Sequence, residues 1–309
     1  MSVPGQATHS RRSTEQRAAR RQVLIGLTWV SPWLFGAGLF VFAPMAMSLY
    51  YSFTDYPLLE PPLWSGLDNY KRMFSDPTFL RVVWNTTAYA AVSIPLFTIV
   101  ALILAGVLAK TGRMSSFYRA CVFIPTLVPL IASAMVWMWL FNGEYGLINK
   151  LLAMISIRGP AWIVDRNWVL PSMVIMSVWG VGQGVVIYVA AMQDVPKQLY
   201  EAARIDGMGT VRQFIHVTLP MISPAILFNV IALTIAAVQV FAVPSVMFRR
   251  PDGQNPAGHY YTMYLYENAF VYGNMGYASA MAWMQLLVVL LLTALLLFAG
   301  RRLVHYARV

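Results

Sequence analysis

Six long apolar stretches constrain the fold of this chain more than any other feature of its sequence. An α-helix needs about 20 predominantly apolar residues to cross the hydrocarbon core of a bilayer, and each stretch is long enough. Backbone polar groups inside a bilayer must be paired within the segment, as they are in a helix. We therefore predict an all-α integral membrane protein with six transmembrane helices. The predicted spans are residues 23–53, 82–109, 119–141, 169–192, 221–248 and 277–300.

Charge is scarce in this chain and unevenly divided between the two predicted sides of the membrane. Of 309 residues, 59% are hydrophobic and 11% are charged, against roughly 25% charged residues in soluble domains. The basic tail 1–22, the loop after the second span, the loop 194–220 and the C-terminus together hold 14 of the 22 Lys and Arg residues. By the positive-inside rule both termini, including residues 303–309, are cytoplasmic. The predicted transmembrane domain is then 23–302. Because the positive-inside rule accounts for the net positive charge of the chain, no nucleic acid partner is needed to explain it.

The sequence lacks the patterns that most membrane enzymes and ion-coupled carriers need. Cys121 is the only cysteine, so an intrachain disulfide is impossible and a thiolate metal site is not expected. Neither a Gly-rich phosphate-binding motif nor a His-Glu-x-x-His motif occurs. No Asp or Glu lies within a predicted span, where ion-coupled carriers usually have an ionisable group. We predict no catalytic residue, metal site or cofactor in this chain.

The polar interval 194–220 has the sequence of a folded helical hairpin. Residues 199–205 are rich in helix formers. Gly207 and Gly209 provide a turn, because a positive φ costs glycine little. The second part is predicted to be a helix with one apolar face, ended by Pro220. That face, spaced at i, i+3, i+4 and i+7, consists of Val211, Phe214, Ile215 and Thr218.

The fixed positions of this interval resemble the EAA loop of ABC-importer permeases. Glu-Ala-Ala stands at 201–203, Gly207 follows after three residues, and Leu-Pro stands at 219–220 after nine residues, an aliphatic residue and one more. In that family the loop is a cytoplasmic coupling helix between spans 4 and 5 that docks on the ATPase subunit. The alternative is an ordinary amphipathic hairpin at the membrane surface. The resemblance assigns coupling to Glu201, Ala202, Ala203, Asp206, Gly207, Leu219 and Pro220.

Two outer regions resemble the carbohydrate branch of this family, the maltose and glycerol-phosphate type. One is the Gly-Leu-Asp-Asn-Tyr segment 66–70, which is followed by a Pro-x-Phe pattern at 77–79 and by Asn-Thr at 85–86. The other is the outside loop 142–149. The segment 249–258 departs from the family pattern.

The resemblance implies a permease subunit that forms half of the translocation pathway for a sugar or oligosaccharide. It implies a prokaryotic plasma (inner) membrane protein, surrounded by lipid, with a second homologous permease and an extracytoplasmic solute-binding protein. Two ATPase subunits would bind ATP and Mg²⁺, so that this chain is not itself an enzyme. The alternative functions are a membrane enzyme and a facilitator channel that works without ATP.

Polar and aromatic residues in spans 4 to 6 are candidates for the substrate pathway. Trp179 and Gln183 are four residues apart, hence on one face of a helix, and a glutamine at mid-bilayer depth needs a partner. The partner is either a hydroxyl-rich substrate or a neighbouring helix, and the sequence leaves both open. Gln239 and Gln285 lie in the outer halves of spans 5 and 6. Together with the resemblance, this makes Trp179, Gly180, Gln183 and Gln239 the predicted pathway residues.

Overall fold

The computed structural model describes residues 6–109, 115–250 and 253–303. Within them the chain is mostly helical, which confirms the predicted fold class at this level. Two bent pairs of helices join four long helices as candidate membrane spans, so the described residues contain four to six spans. The four long helices are Leu24–Tyr51, Pro77–Leu108, Ser223–Met247 and Met275–Arg302.

Up to residue 140, the described part of the chain contains six α-helices and one short hairpin. In chain order the helices are α1 (Gln6–Ala37), α2 (Ala43–Tyr51), α3 (Asp68–Ser75), α4 (Pro77–Leu108), α5 (Ser115–Phe123) and α6 (Leu130–Leu140). A π-helical turn, Gly38–Phe42, joins α1 to α2, and a 3-10 turn, Ile124–Leu127, follows α5. Strands β1 (Thr54–Asp55) and β2 (Leu63–Trp64) pair antiparallel, with Thr54 opposite Trp64.

From residue 147 onward, the described part of the chain contains the segments that surround the 194–220 loop. Its helices are α7 (Leu147–Met154), α8 (Arg166–Trp179), α9 (Gly182–Gln193), α10 (Lys197–Ile205), α11 (Thr210–Gln213), α12 (Leu219–Met221), α13 (Ser223–Val238), α14 (Ala242–Met247), α15 (Tyr261–Tyr266) and α16 (Met275–Leu303). Two π-helical turns, Phe214–Thr218 and Glu267–Val271, interrupt this series. The segment that departs from the family pattern contains the hairpin of β3 (Arg249–Arg250) and β4 (Gly253–Gln254).

The third and fourth predicted spans are bent rather than straight. The helix that begins in α5 meets α6 at 93°, where Pro125 and Pro129 have no backbone donor to continue the helical ladder. α8 meets α9 at 47° near Gly180. At the start of α9, a β-carbon on Gly182 would lie 2.4 Å from the carbonyl oxygen of Val122 in α5. The absence of a side chain there lets the two broken spans approach closely.

Three groups of buried apolar side chains hold the spans together. The first group lies at the end of the spans away from the 194–220 loop, which we call the outer end; it packs α3 and α4 against α15 and α16 and includes Met73 and Tyr277. The middle group joins α4, α6, α8 and α14 around Phe141. The loop-side group joins α4 to α9 beside the 194–220 loop, around Tyr188. The most apolar part of the first span, Leu24–Tyr51, has no buried residue and adds nothing to these groups.

Candidate transport pathway and coupling loop

Both helix breaks border one cavity of about 620 Å³ near the middle of the spans. Its wall combines residues of α4, α6, α8, α9, α13 and α14 with the 3-10 turn after α5. All four predicted pathway residues lie in this wall. They are Trp179, Gly180, Gln183 and Gln239.

Trp179 and Gln183 reach the cavity from opposite sides of the break in span 4. Trp179 is the last residue of α8, and Gln183 lies in the first turn of α9. The prediction placed both residues on one face of a single helix. In the structure they belong to two helices, and both line the cavity because the helices meet there. The Gly180 N–H donates to the Ser177 carbonyl (3.2 Å) where α8 ends. The Trp179 ring lies edge-on to Trp137, with the centroids 6.0 Å apart.

The glutamines of spans 4 to 6 differ in their hydrogen bonds. Gln285 donates to the Val238 carbonyl (2.9 Å) and to the Thr262 hydroxyl (3.0 Å), and so connects α16 to its neighbours. The side-chain amides of Gln183 and Gln239 are exposed in the cavity wall and have no hydrogen-bond partner among the described residues. A helix-to-helix bond therefore accounts for Gln285, whereas Gln183 and Gln239 are free to bind a ligand.

The cavity wall is neutral. None of its residues within the described ranges is Asp, Glu, Lys, Arg or His. Besides the two amides, its polar side-chain groups are hydroxyls and the indole N–H of Trp179, and its rings offer faces for stacking. A concave, mostly apolar wall with a few polar groups is typical of small-molecule sites, and this one suits a neutral, hydroxyl-rich solute. The hydroxyls and rings belong to Tyr89, Ser93, Phe97, Thr126, Ser133, Ser177, Trp179 and Phe241.

The first part of the 194–220 loop folds as its residue types predict. α10 ends at Ile205, and Gly207 adopts a φ of 74°, which favours glycine. In this turn the Met208 N–H donates to the Ala203 carbonyl (2.9 Å) and the Gly207 N–H to the Arg204 carbonyl (3.0 Å). These bonds satisfy carbonyls at the end of α10, as in a Schellman-type cap.

Pro220 does not end the second helix, contrary to the prediction. The π-helical turn Phe214–Thr218 precedes it, and the Leu219 N–H closes that turn by donating to the Phe214 carbonyl. The wider turn shifts the hydrogen-bond ladder just before Pro220, which has no N–H to pair. The helix therefore continues through Pro220 to Met221, and the break falls at Ile222.

The predicted apolar face of the second helix is divided by the same π-helical turn. Phe214 packs inward against Gly106, where a β-carbon would lie 3.0 Å from the ring. Thr218 is buried, and its hydroxyl lies 3.0 Å from the Tyr200 hydroxyl. Val211 and Ile215 instead keep 73% and 50% of their surface exposed. The loop therefore packs against the spans through Phe214, Thr218 bonds within the loop, and the other two side chains lie outside.

The residues to which the resemblance assigns coupling lie on both sides of the loop. Glu201, Ala202, Asp206 and Gly207 are exposed, Ala203 is buried, and Leu219 and Pro220 are partly buried. Next to the exposed residues, Ile205 has 87% of its surface exposed, although sequence reasoning did not single it out. We call Glu201, Ala202, Ile205 and Val211 the docking edge.

A polar cluster at the outer end of the spans escaped the sequence analysis. Asp76 caps α4 by accepting from the Thr78 N–H (2.8 Å), and it also accepts from the hydroxyls of Tyr264 (2.6 Å) and Tyr277 (2.9 Å). Burial alone would raise the pKa of Asp76. The bonds from the two tyrosines and from the backbone of Thr78 and Phe79 outweigh burial, so that the pKa lies below its ordinary value. An Asp before Pro at a helix start signals the cap, but nothing in the sequence points to the tyrosines.

The fold and the site together define a class of protein. Helices cross the membrane around a neutral cavity, two broken spans border it, and a structured polar loop connects the last residues of α9 to α13. Irregular backbone at membrane depth is tolerated where it lines a cavity, and discontinuous helices around a central site are typical of transporters. This combination of broken helices and a central cavity is typical of a membrane permease.

Comparison with known proteins defines the family. A sequence model of the binding-protein-dependent transport system inner membrane component family matches residues 97–306. The chain is 34% identical over 295 residues to the probable ABC transporter permease protein YesP of Bacillus subtilis (strain 168), which covers 94% of this chain and 95% of that protein. The chain therefore belongs to the family of binding-protein-dependent transport system inner membrane components, and the predicted family is confirmed.

Two further similarities extend this result. The chain is 32% identical over 280 residues to the diacetylchitobiose uptake system permease protein NgcF of Streptomyces coelicolor, which covers 85% of this chain and 78% of that protein. A chain in the crystal structure of a bacterial ABC transporter involved in the import of the acidic polysaccharide alginate superposes with a TM-score of 0.81. The match covers 94% of this chain and 100% of that chain at 18% identity, so it shows a shared fold.

Proposed function

We propose that this chain forms half of the translocation pathway of an ATP-driven importer for a neutral sugar or oligosaccharide. The observation that carries the proposal is the cavity between the broken spans, with its aromatic rings, hydroxyls and the unpaired amides of Gln183 and Gln239. Sugars present both hydroxyls and apolar ring faces, and these match the two kinds of group in the wall. The diacetylchitobiose uptake named for one relative supports a sugar substrate.

The neutral wall is the reason for proposing a neutral sugar. A carboxylate or phosphate transferred to this depth without a cationic partner would carry a large desolvation cost. The described residues of this wall include no Lys, Arg or His to offset it. A saccharide without ionised groups avoids that cost.

We further propose that the docking edge couples the pathway to ATP hydrolysis in a partner chain. Glu201 and Ala202 belong to the family motif, and Ile205 and Val211 are two strongly exposed apolar side chains of the same loop. Exposed apolar groups next to a charge are a common form of docking surface. The chemistry of ATP and Mg²⁺ belongs to the partner ATPase, and no residue of this chain is assigned to it.

The proposed assembly contains a second homologous permease, two ATPase subunits and an external solute-binding protein. In this arrangement both termini of our chain and its docking edge face the cytoplasm of a prokaryotic cell, as the distribution of Lys and Arg favours. The family's description as binding-protein-dependent supports the external partner.

Co-purification of the full chain from cells that carry its native gene neighbourhood tests this assembly. We expect an ATPase and a second multispan permease to be recovered, and we expect the complex in proteoliposomes to take up a neutral oligosaccharide only with ATP and the binding protein. Uptake without ATP would favour the facilitator channel, and substrate turnover by the isolated chain would favour a membrane enzyme. Either result would overturn the proposal.

Gln183→Ala tests the pathway part of the proposal in the same proteoliposomes. Because the amide contributes one or two hydrogen bonds to the solute, each worth about 1 kcal/mol, we expect the half-saturating sugar concentration to rise by about tenfold. Gln193→Ala is the matched control, since Gln193 is exposed at the end of α9 and lies outside the cavity wall. Equal effects of the two variants would contradict a role for Gln183 in the pathway.

Glu201→Lys tests the coupling part. Reversing the charge on the docking edge should abolish ATP-driven uptake while the chain still inserts in the membrane, because Glu201 is exposed and has no structural partner among the described residues. Glu144→Lys, an exposed charge reversal in the outside loop, should retain uptake. Normal uptake by the Glu201 variant would exclude this edge from coupling.

A further inference from the structure

A second cavity, of about 550 Å³, lies behind the 194–220 loop. One wall is formed by the ends of α4 and α9, at Gly106 and Met192, and the other by the inward side of the loop, including Tyr200, Arg204 and Phe214. Its volume falls in the range of about 300–1,000 Å³ that is typical of small-molecule sites. It is separate from the sugar cavity, since the two share no lining residue.

The chemistry of this cavity differs from that of the sugar cavity because it contains a cation. Arg204 is exposed to it and forms no ion pair with a described residue. The Thr210 hydroxyl in the same wall also has no hydrogen-bond partner among the described residues. A guanidinium presents its donors in a planar fork that matches phosphate oxygens, and such charge-assisted bonds are among the stronger ones in proteins.

Other groups in the wall are already paired and give it a fixed shape. The Gln213 side-chain amide donates to the Met208 carbonyl (2.8 Å), and the Tyr200 hydroxyl lies 3.0 Å from that of Thr218. The remaining surface is apolar, with Met192 and Phe214 beside α4. The cavity thus combines a free cationic donor with an apolar wall, which suits an amphiphilic anion rather than a fully polar one.

The position of the cavity indicates where that anion comes from. Gly106 and Ala109 line it, and the membrane-spanning helix Pro77–Leu108 ends between them. The cavity therefore lies where a span meets the headgroup layer, at the depth of the phospholipid phosphates. In the proposed orientation this is the inner leaflet.

We propose that this cavity binds the phosphate of an anionic phospholipid headgroup, held by Arg204 and Thr210, with the apolar part of the lipid against Phe214 and Met192. The bound lipid would bridge the coupling loop and α4, and would thereby stabilise the loop on the spans. The docking edge stays free, because none of its four residues lines this cavity. The inference uses the proposed function only to name the leaflet and the consequence for coupling, since binding itself requires no transport.

Lipid binding to the purified, delipidated full chain tests the site directly. We would titrate short-chain phosphatidylglycerol, phosphatidylcholine and inorganic phosphate, and follow binding by the rise in thermal unfolding midpoint and by native mass spectrometry. Phosphatidylglycerol should bind the unaltered chain more tightly than phosphatidylcholine. Arg204→Gln should raise its dissociation constant at least about tenfold, the value of one charge-assisted hydrogen bond. Thr210→Val should raise it by a few fold.

Arg212→Gln is the matched control, because Arg212 is an exposed arginine of the same loop that does not line the cavity. It should bind phosphatidylglycerol as the unaltered chain does, and Arg204→Lys should bind with intermediate affinity. Equal affinity of the unaltered chain and Arg204→Gln, or equal weakening by Arg204→Gln and Arg212→Gln, would overturn the site. Inorganic phosphate binding as tightly as phosphatidylglycerol would overturn the lipid as its source. Failure of sugar uptake would leave these binding results unaffected.

Discussion

The outer end of the molecule and its 194–220 loop are attached to the same helices by different kinds of contact. At the outer end, side-chain amides connect segments that are far apart in the sequence. Asn85 donates to the carbonyls of Pro256 and His259 (2.9 Å each), and Asn255 donates to those of Ile163 and Val164 (3.2 Å each). The loop has few such bonds. It is held mainly by apolar side chains, such as Phe214, that pack against α4 in the loop-side group.

This difference indicates which end can move. Hydrogen bonds between distant segments are directional and fix their relative geometry, whereas an aromatic ring resting on a glycine can slide or turn at small cost. A segment with few bonds to the rest of the protein opens locally at lower free energy. We therefore expect a rigid outer end and a loop that shifts as a unit when its partner moves.

Asp76→Ala should have the largest effect on stability. It removes the helix cap, worth about 1 kcal/mol, and the acceptor of two tyrosine hydroxyls, each worth about 1.5 kcal/mol or more with a charged partner. We expect the free energy of unfolding in mixed micelles to fall by about 3–4 kcal/mol. Asp68→Ala is the control, because Asp68 forms an exposed pair with Lys71 that should contribute less than about 1 kcal/mol. Similar losses in both variants would contradict a stabilising role for the cluster of Asp76 with Tyr264 and Tyr277.

The contribution of Asp76 to stability depends on pH, and the sign of that dependence is definite. Because the folded pKa of Asp76 lies below its ordinary value, its ionised form stabilises the fold above the unfolded pKa of about 3.9. That contribution is lost as the pH falls through the lower, folded pKa. Asp76→Asn should therefore flatten the stability profile in acid. An unchanged profile between pH 5 and 2 would exclude Asp76 as its source.

Substituting one glycine at each end compares how rigidly the two ends are packed. A β-carbon on Gly276 would lie 2.1 Å from the backbone carbonyl oxygen of Thr54, which the outer hairpin holds in place, whereas one on Gly106 would meet the Phe214 ring at 3.0 Å. We expect Gly276→Ala to cost about 2–3 kcal/mol, and Gly106→Ala less than about 1 kcal/mol because the ring can yield. Thermal unfolding of the two variants measures these losses. A larger loss for Gly106→Ala than for Gly276→Ala would contradict a rigid outer end and a yielding loop.

Tyr200→Phe should loosen the loop without unfolding the spans. It removes the bond to Thr218, worth about 0.5–1.5 kcal/mol. Amide hydrogen exchange should rise in the loop by about two- to tenfold and stay unchanged at the outer end. Faster exchange throughout the chain would show that the loop is not an independent unit.

Tyr188→Phe should have a small effect on stability, in the opposite direction. The Tyr188 hydroxyl is buried in the loop-side group, and although the Thr98 hydroxyl lies near it, no described residue meets the geometry of a hydrogen bond to it. Removing an unpaired buried hydroxyl should stabilise the fold by about 1 kcal/mol, as a higher unfolding midpoint. A loss of stability would mean that this hydroxyl is paired in the membrane.

Several elements of the fold could be predicted because they depend on local residue types. The helical class follows from segments of membrane length, and the turn at Gly207 follows from a residue that tolerates a positive φ. The bends in spans 3 and 4 were not predicted, although their prolines and glycines are visible in the sequence. Whether such a residue breaks a helix depends on what packs beside it, as Val122 does beside Gly182.

The candidate sites illustrate the same limit. Polar type and depth were enough to select Gln183, Gln239 and Gln285 as candidates, but not to tell a free amide from a paired one. The structure separates them, because Thr262 and the Val238 carbonyl lie within reach of Gln285. For the same reason the π-helical turn that divides the apolar face of the loop was not foreseen.

By itself, the sequence determined the membrane class of this protein, its family motif and the residue types from which a neutral pathway could be built, because these depend on composition and short spacing. Only the tertiary structure decided which of those residues share a cavity, which face of the loop is exposed and which tyrosines reach Asp76. Those outcomes depend on contacts between segments up to 201 residues apart. No local pattern encodes such contacts, since they form only when the helices pack.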